Sequence, residues 1–166
     1  MIYTQQFSSP LGIITLMSDT NALLGLWFEG QKYFTPIKDS IQKQTQVLVD
    51  TQTWLEIYFS GEIPSFTPPL SPQGTLFRES VWKILRTIPY GQTMTYKEIA
   101  HKLAFQRGIA KMSAQAVGGA VGRNPIALII PCHRVIGSDK SLIGYAGGLN
   151  RKAWLLELER KSIKTI

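Results

Sequence analysis

Three short runs of apolar and β-branched residues open the chain. Ile2 to Phe7 and Ile13 to Ser18 flank a Ser8-Ser9-Pro10-Leu11-Gly12 turn, and Ala22 to Phe28 follows Asp19-Thr20-Asn21. Such runs between turn residues predict a small antiparallel meander. The spacing then becomes helical. Ile41, Leu48, Leu55, Tyr58 and Phe59 fall on one face, with Asp39 and Ser40 to cap the start and Gly61 to stop it.

From Gly61 to Gly74 the pattern lapses and Pro64, Pro68, Pro69 and Pro72 accumulate, as in an extended linker. Beyond it Thr75 caps a helix that turns Phe77, Val81, Trp82 and Leu85 inward and ends at Pro89-Tyr90-Gly91. Thr95-Tyr96-Lys97-Glu98 fits a capping box, and Ser113 caps a further helix, Ala114 to Gly122, rich in small residues. Two short helices in succession suggest a helix-turn-helix, although the connection from about Phe105 to Met112 is longer than the usual tight turn. Ile126 to Ile130 reads as a fully buried strand ended by Pro131, and a last amphipathic helix runs from about Asn150 to Lys161. The fold class is therefore mixed α/β, of the α+β kind. The expected division is an N-terminal α/β domain over 1–61, a Pro-rich linker over 62–74 and a mostly helical C-terminal domain over 75–166.

Charge sharpens this division. Before Pro72 there are three Lys/Arg and six Asp/Glu; from Pro72 on there are fifteen and five. A positive field confined to one half suits a polyanion, and also a plain solvated basic surface. No apolar stretch is long enough to span a bilayer, and the start of the chain lacks a secretory pattern, so a cytoplasmic protein with no membrane partner is expected. A single cysteine and two histidines exclude a disulfide framework and the usual structural zinc site.

Any thiol chemistry rests on Cys132. It sits beside His133 and Arg134, where a basic imidazole or a positive charge could stabilise a thiolate. A lone free cysteine is more often a small buried hydrophobe, and adjacent side chains meet only if a turn begins at Cys132. His133 is equally open to a base or a structural role, and His101 reads as solvated. The Gly118-Gly119 and Gly147-Gly148 pairs lack the context of a phosphate loop and read as close-packing positions.

Pro131-Cys132-His133-Arg134-Val135, with Ala116-Val117-Gly118-Gly119-Ala120 and Asn124-Pro125 ahead of it, resembles the active-site block of the O6-alkylguanine-DNA alkyltransferases. The order of flanking elements strengthens the resemblance: Val81-Trp82-Lys83, Pro89-Tyr90-Gly91, Thr95-Tyr96, Gly144-Tyr145-Ala146-Gly147-Gly148 and Trp154-Leu155-Leu156. It covers nearly all of Phe77 to Glu159; the first half matches only in length and element pattern.

The resemblance implies a winged-helix-like DNA-binding element and single-turnover direct-reversal repair, in which an alkyl group passes irreversibly from O6 of guanine, and also O4 of thymine, to Cys132. His133, acting through a water and oriented by Glu159, would be the base. Tyr96 would give its phenolic proton to the departing guanine, and Asn124 would orient the Cys-His turn. Tyr145, Ala146 and Gly147 would wall the pocket. Ser113, Gln115, Ala116 and Gly119 would lie against the DNA, with Arg123 and Arg134 as further contacts. The damaged base must leave the stack, and the Ser113 to Gly122 helix would enter the minor groove as the wedge. The implied partner is double-stranded DNA carrying O6-alkylguanine, met by a monomer without cofactor.

The chain departs from the family pattern twice. Many relatives carry arginine where Gln115 stands, and Gln lacks its charge and fork geometry; Lys111 and Arg123 stand nearby to compensate. Some relatives bind zinc in the first domain through cysteine and histidine, and this half has neither, so no metal is expected. The competing readings are a non-catalytic sensor of alkylated DNA and a Cys-His hydrolase, the latter requiring an oxyanion hole that nothing in the sequence marks.

Overall fold

The computed structural model describes residues 1–34 and 37–164. Its first part is a four-stranded sheet, β1 (Ile2–Ser9), β2 (Gly12–Ser18), β3 (Leu23–Phe28) and β4 (Ser40–Gln42), in the order β3-β2-β1-β4. The β1-β2 turn closes on itself: the Ser9 hydroxyl donates to the Gly12 carbonyl at 2.6 Å, and Gly12 takes a φ of 109°. Asp19 caps the next turn by accepting from the amides of Asn21 and Ala22. Ile14, Leu16, Leu23, Leu26 and Phe28 are buried on one side. Helix α1 (Gln46–Phe59) meets them with Val47, Leu48, Thr51, Trp54, Leu55 and Tyr58, a three-and-four spacing that makes one stripe.

The helix starts later than its spacing predicts. Thr45 is the cap, its side chain accepting from Leu48 N–H, while Asp39 has a φ of 56° that no helix start accommodates. Ser40 to Gln42 form β4 instead, parallel to β1, and Ile41 is exposed there. The seven-residue interval from Ile41 to Leu48 imitated two helical turns.

The second part is helical: α2 (Leu76–Leu85), α3 (Tyr96–Arg107), α4 (Ala114–Gly122) and α5 (Leu149–Lys164), with β5 (Met94–Thr95) and β6 (Val135–Ile136) paired in parallel. The expected caps are all present. Thr75 caps α2, Thr95 and Glu98 make a reciprocal capping box on α3, and Ser113 caps α4. Trp82 of α2 donates its indole N–H to the Ala120 carbonyl of α4, which locks those helices together. No helix among the described residues is long and apolar enough to cross a membrane.

Ile126 to Ile130 does not form the expected strand. Leu26 N–H donates to Pro125 O at 2.8 Å and Ala127 N–H to Leu26 O at 3.0 Å, which makes one bridge to β3. The chain then coils, with Leu128 at a φ of 69° and Ile130 N–H bonded back to Ile126 O. Four of the five residues are buried, so composition matched a buried strand, but the bonds of a strand go instead to a tight turn. One apolar cluster runs through the sheet, α1, α2, α3, α4 and this turn.

Candidate active site

The turn after that buried segment sends successive side chains to different sides. Cys132–Arg134 is a single 3-10 turn. Cys132, 5% exposed, borders a pocket of about 320 Å³ walled by Tyr96, Gly118, Gly119, Tyr145 and Ala146. His133 and Arg134 bond to Glu159 of α5.

Glu159 is the hub. Its Oε2 lies 2.5 Å from His133 Nε2 and accepts the Tyr58 hydroxyl at 2.7 Å. Its Oε1 accepts Arg134 Nε at 2.8 Å and the Gly91 amide at 3.0 Å, while Arg134 Nη2 reaches Oε2 at 3.2 Å. Burial opposes the charge, but hydrogen bonds and charges from His133 and Arg134 outweigh it and hold this carboxyl well below the usual carboxylate range. An ionised carboxylate accepts only, so His133 Nε2 carries the proton. Burial pushes the imidazole below its ordinary value, against the pull of Glu159, so it is neutral at pH 7 with its lone pair on Nδ1. Among the described residues Nδ1 has no hydrogen-bond partner although it is buried.

Burial pushes the Cys132 thiol up, while a hydrogen bond with Asn124 and the charge of Lys152 pull it down. The resting group is therefore a thiol, and a nucleophilic role requires a base. Asn124 braces the segment that delivers it: Nδ2 donates to Ile130 O at 2.8 Å and Oδ1 accepts from Ile126 N–H at 3.0 Å.

Across the pocket, Tyr96 donates its hydroxyl to Ile143 O at 3.1 Å or Gly144 O at 3.2 Å. Burial, aided by Cys132, pushes its phenol up to about 12, so it keeps its proton at neutral pH. Gly144 has a φ of 62°, and a Cβ there would stand 2.9 Å from that hydroxyl. Lys152 donates to the same two carbonyls, at 2.8 and 3.1 Å, and burial pushes it down to about 8. Tyr145 and Ala146 line the pocket with Gly144; Gly147, buried, follows them.

Ser113, Gln115, Ala116 and Gly119 are exposed on α4. A Cβ on Gly119 would meet nothing within 4 Å, so the fold itself does not demand glycine there. Arg123 is exposed at the end of α4, its guanidinium 3.9 Å over the ring of Tyr33. Arg134 departs from expectation. It is buried, with its side-chain hydrogen bonds on Glu159 and on the Ile88 carbonyl, so its guanidinium is engaged in the interior.

Four contributors escaped sequence reasoning. Tyr58 reads as one more aromatic on a core face. Lys152 carried a detectable signal: Lys152, Leu155, Glu159 and Ser162 recur at three and four residues, which places charged groups on the stripe that α5 buries. Lys32 and Tyr33 line the pocket from a loop with no regular pattern.

The chain matches two family descriptions: "6-O-methylguanine DNA methyltransferase, ribonuclease-like domain" over residues 2–72, and the "DNA binding domain" of the same name over residues 76–161. It is 45% identical over 164 residues to a Methylated-DNA--protein-cysteine methyltransferase of Methanosarcina barkeri, covering 98% of this chain and 100% of the relative. A protein of that name from Haemophilus influenzae is 39% identical over 160 residues, covering 96% and 87%. The crystal structure of Mycobacterium tuberculosis OGT in complex with DNA superposes with a TM-score of 0.84 at 42% identity, over 96% of this chain and 94% of that one.

Proposed function

The chain belongs to the 6-O-methylguanine DNA methyltransferase family, and from that premise we propose that Cys132 is the acceptor of a single-turnover alkyl transfer from O6 of guanine in DNA. The observation that carries this reading is the buried Glu159-His133 pair, which leaves a lone pair on Nδ1 of the residue that follows Cys132, a cysteine whose thiol burial keeps protonated. A water between Nδ1 and Sγ would satisfy the nitrogen and relay the proton. The thiolate then displaces guanine: the carbon–sulfur bond forms as the carbon–O6 bond breaks, and the bonding pair leaves with the base. Tyr96, still protonated and on the pocket wall, gives its proton to the leaving guanine; the proton taken by His133 restores the phenol through solvent. The same displacement serves O4 of thymine. The product is a thioether that water does not cleave, so each chain acts once.

Asn124 orients the turn, Tyr145, Ala146 and Gly147 bound the base, and the exposed face of α4 enters the minor groove. Ser113, Gln115, Ala116 and Gly119 lie there, and the open space above Gly119 suits close approach of a DNA backbone. Arg123 adds charge at the end of the helix. The division into 1–61, 62–74 and 75–166 goes with this reading, the second domain holding the acceptor and the DNA face. On this reading the chain works as a monomer in the cytoplasm, with double-stranded DNA as its partner. The sensor alternative is not favoured because the relay serves a nucleophile, and the hydrolase is not favoured because the relatives are named as DNA methyltransferases.

The test is intact mass after mixing the protein with duplex DNA carrying one O6-methylguanine, followed by peptide mapping. One added methyl on Cys132 with guanine restored is expected. Unchanged mass with the lesion duplex bound would overturn the reading in favour of a sensor.

A further inference from the structure

Tyr58 lies in the first part of the chain, on α1, yet its hydroxyl ends on the carboxylate that orients His133. The bond to Glu159 Oε2 is 2.7 Å, and that oxygen also takes His133 Nε2 at 2.5 Å. The side chain has little freedom: it is fully buried and its ring stacks on Trp54 at 5.2 Å and 7°. Its edge meets Phe59, Tyr90 and His133 at steep angles. A phenol so enclosed needs a partner, and its hydroxyl has the Glu159 oxygen it donates to, with His133 Nε2 at 3.5 Å as a second, longer contact.

We infer that Tyr58 is a positioning residue for alkyl transfer: by sharing Glu159 Oε2 with His133, its hydroxyl limits the hold of the carboxylate on the imidazole and so sets the lowest pH at which the base works. The inference rests on the reading of His133 as base. A carboxylate oxygen divides its charge among its donors. Each donor it accepts leaves less negative charge to stabilise a protonated imidazole. With Tyr58 present, His133 stays neutral to lower pH and Nδ1 keeps its lone pair. The other titratable or charged groups facing the pair are Arg134 of the same turn, Lys152 of α5, Tyr90 of the loop after α2 and Tyr145 of the loop before α5. Of these only Arg134 donates to Glu159, and its fork spans both oxygens. Tyr58 is the donor that the sheet-and-helix part of the chain supplies, which gives that part a share in the chemistry.

The test is single-turnover transfer from an O6-methylguanine duplex between pH 5 and 8, with folding checked by circular dichroism at each pH. Tyr58→Phe keeps the stacked ring and removes only the hydroxyl. Its acid limb is expected to move up by about one pH unit, a loss of about tenfold below the limb, with full rate recovered at pH 8. Trp54→Phe, which weakens the same packing and spares the hydroxyl, should lower the melting temperature and leave the limb in place. A Tyr58→Phe limb that is unmoved or moves down, or a rate lowered equally at every pH, overturns the inference. His133→Asn separates the two readings: a limb that persists there overturns His133 as base, whereas a limb lost there but unmoved in Tyr58→Phe overturns only the role of Tyr58.

Discussion

Lys152 and Tyr96 donate to the same two carbonyl oxygens, those of Ile143 and Gly144. An ammonium and a phenol thus fix one wall of the pocket. The cation favours the Cys132 thiolate, and the phenol lines the same pocket, where the proposed reaction has the leaving base take a proton.

Lys152→Met keeps much of the side-chain volume and removes both bonds and the charge. Charge-assisted bonds of this kind contribute about 1.5–3 kcal/mol, so transfer should slow by roughly tenfold or more. Single-turnover rates on a methylated duplex decide it. A rate within twofold of wild type would show the loop holding itself.

Tyr96→Phe should slow transfer while leaving duplex affinity nearly unchanged, since its proton acts on the leaving base and not on the DNA backbone. Rates and binding isotherms measured on one preparation separate the two. Equal transfer rates would remove the phenol from the mechanism.

Gln115 is exposed near the start of α4, free to take a longer side chain. Gln115→Arg should speed repair in duplex more than in single strands, because only a duplex leaves a gap when the base flips out. A uniform change on both substrates, or no change, would place the wedge elsewhere.

Acid should loosen the fold in two stages. His133 is held below its ordinary 6.5, so the unfolded chain binds more protons and stability falls as pH drops through that value. Glu159 is held below its ordinary 4.5, so its contribution, present above that pH, is lost as pH falls further. Urea unfolding from pH 7 down to about 2.5 should show the first stage below 6.5 and the second below 4.5, and Glu159→Gln should blunt the second. Constant stability between pH 7 and 5 would contradict the buried neutral imidazole.

The helix caps at Thr75, Thr95 and Ser113 were legible because capping is local: a hydroxyl and an amide three residues on suffice. Cys132, His133 and Asn124 stood out because their block is distinctive. The failures share a cause, since each turned on a partner far away in the chain. Ile126 to Ile130 has the composition of a buried strand, and only its neighbour Leu26 shows that the backbone coils. Arg134 looked like a DNA contact in a basic half until Glu159 claimed it. Tyr58 was one apolar ring among several, and nothing local says that its hydroxyl meets a carboxylate carried by the last helix.

The bridge between Leu26 and residues 125–127 has a further effect. Strand β3 is an outer strand, and bare outer strands invite another chain to pair with them. Here Pro69 and Ser71 bond to Leu23, and Pro125 and Ala127 to Leu26, so the free edge is covered. The segment that delivers Cys132 is therefore also a guard against self-association, and a lesion that loosens it removes the protein from solution as well as from service.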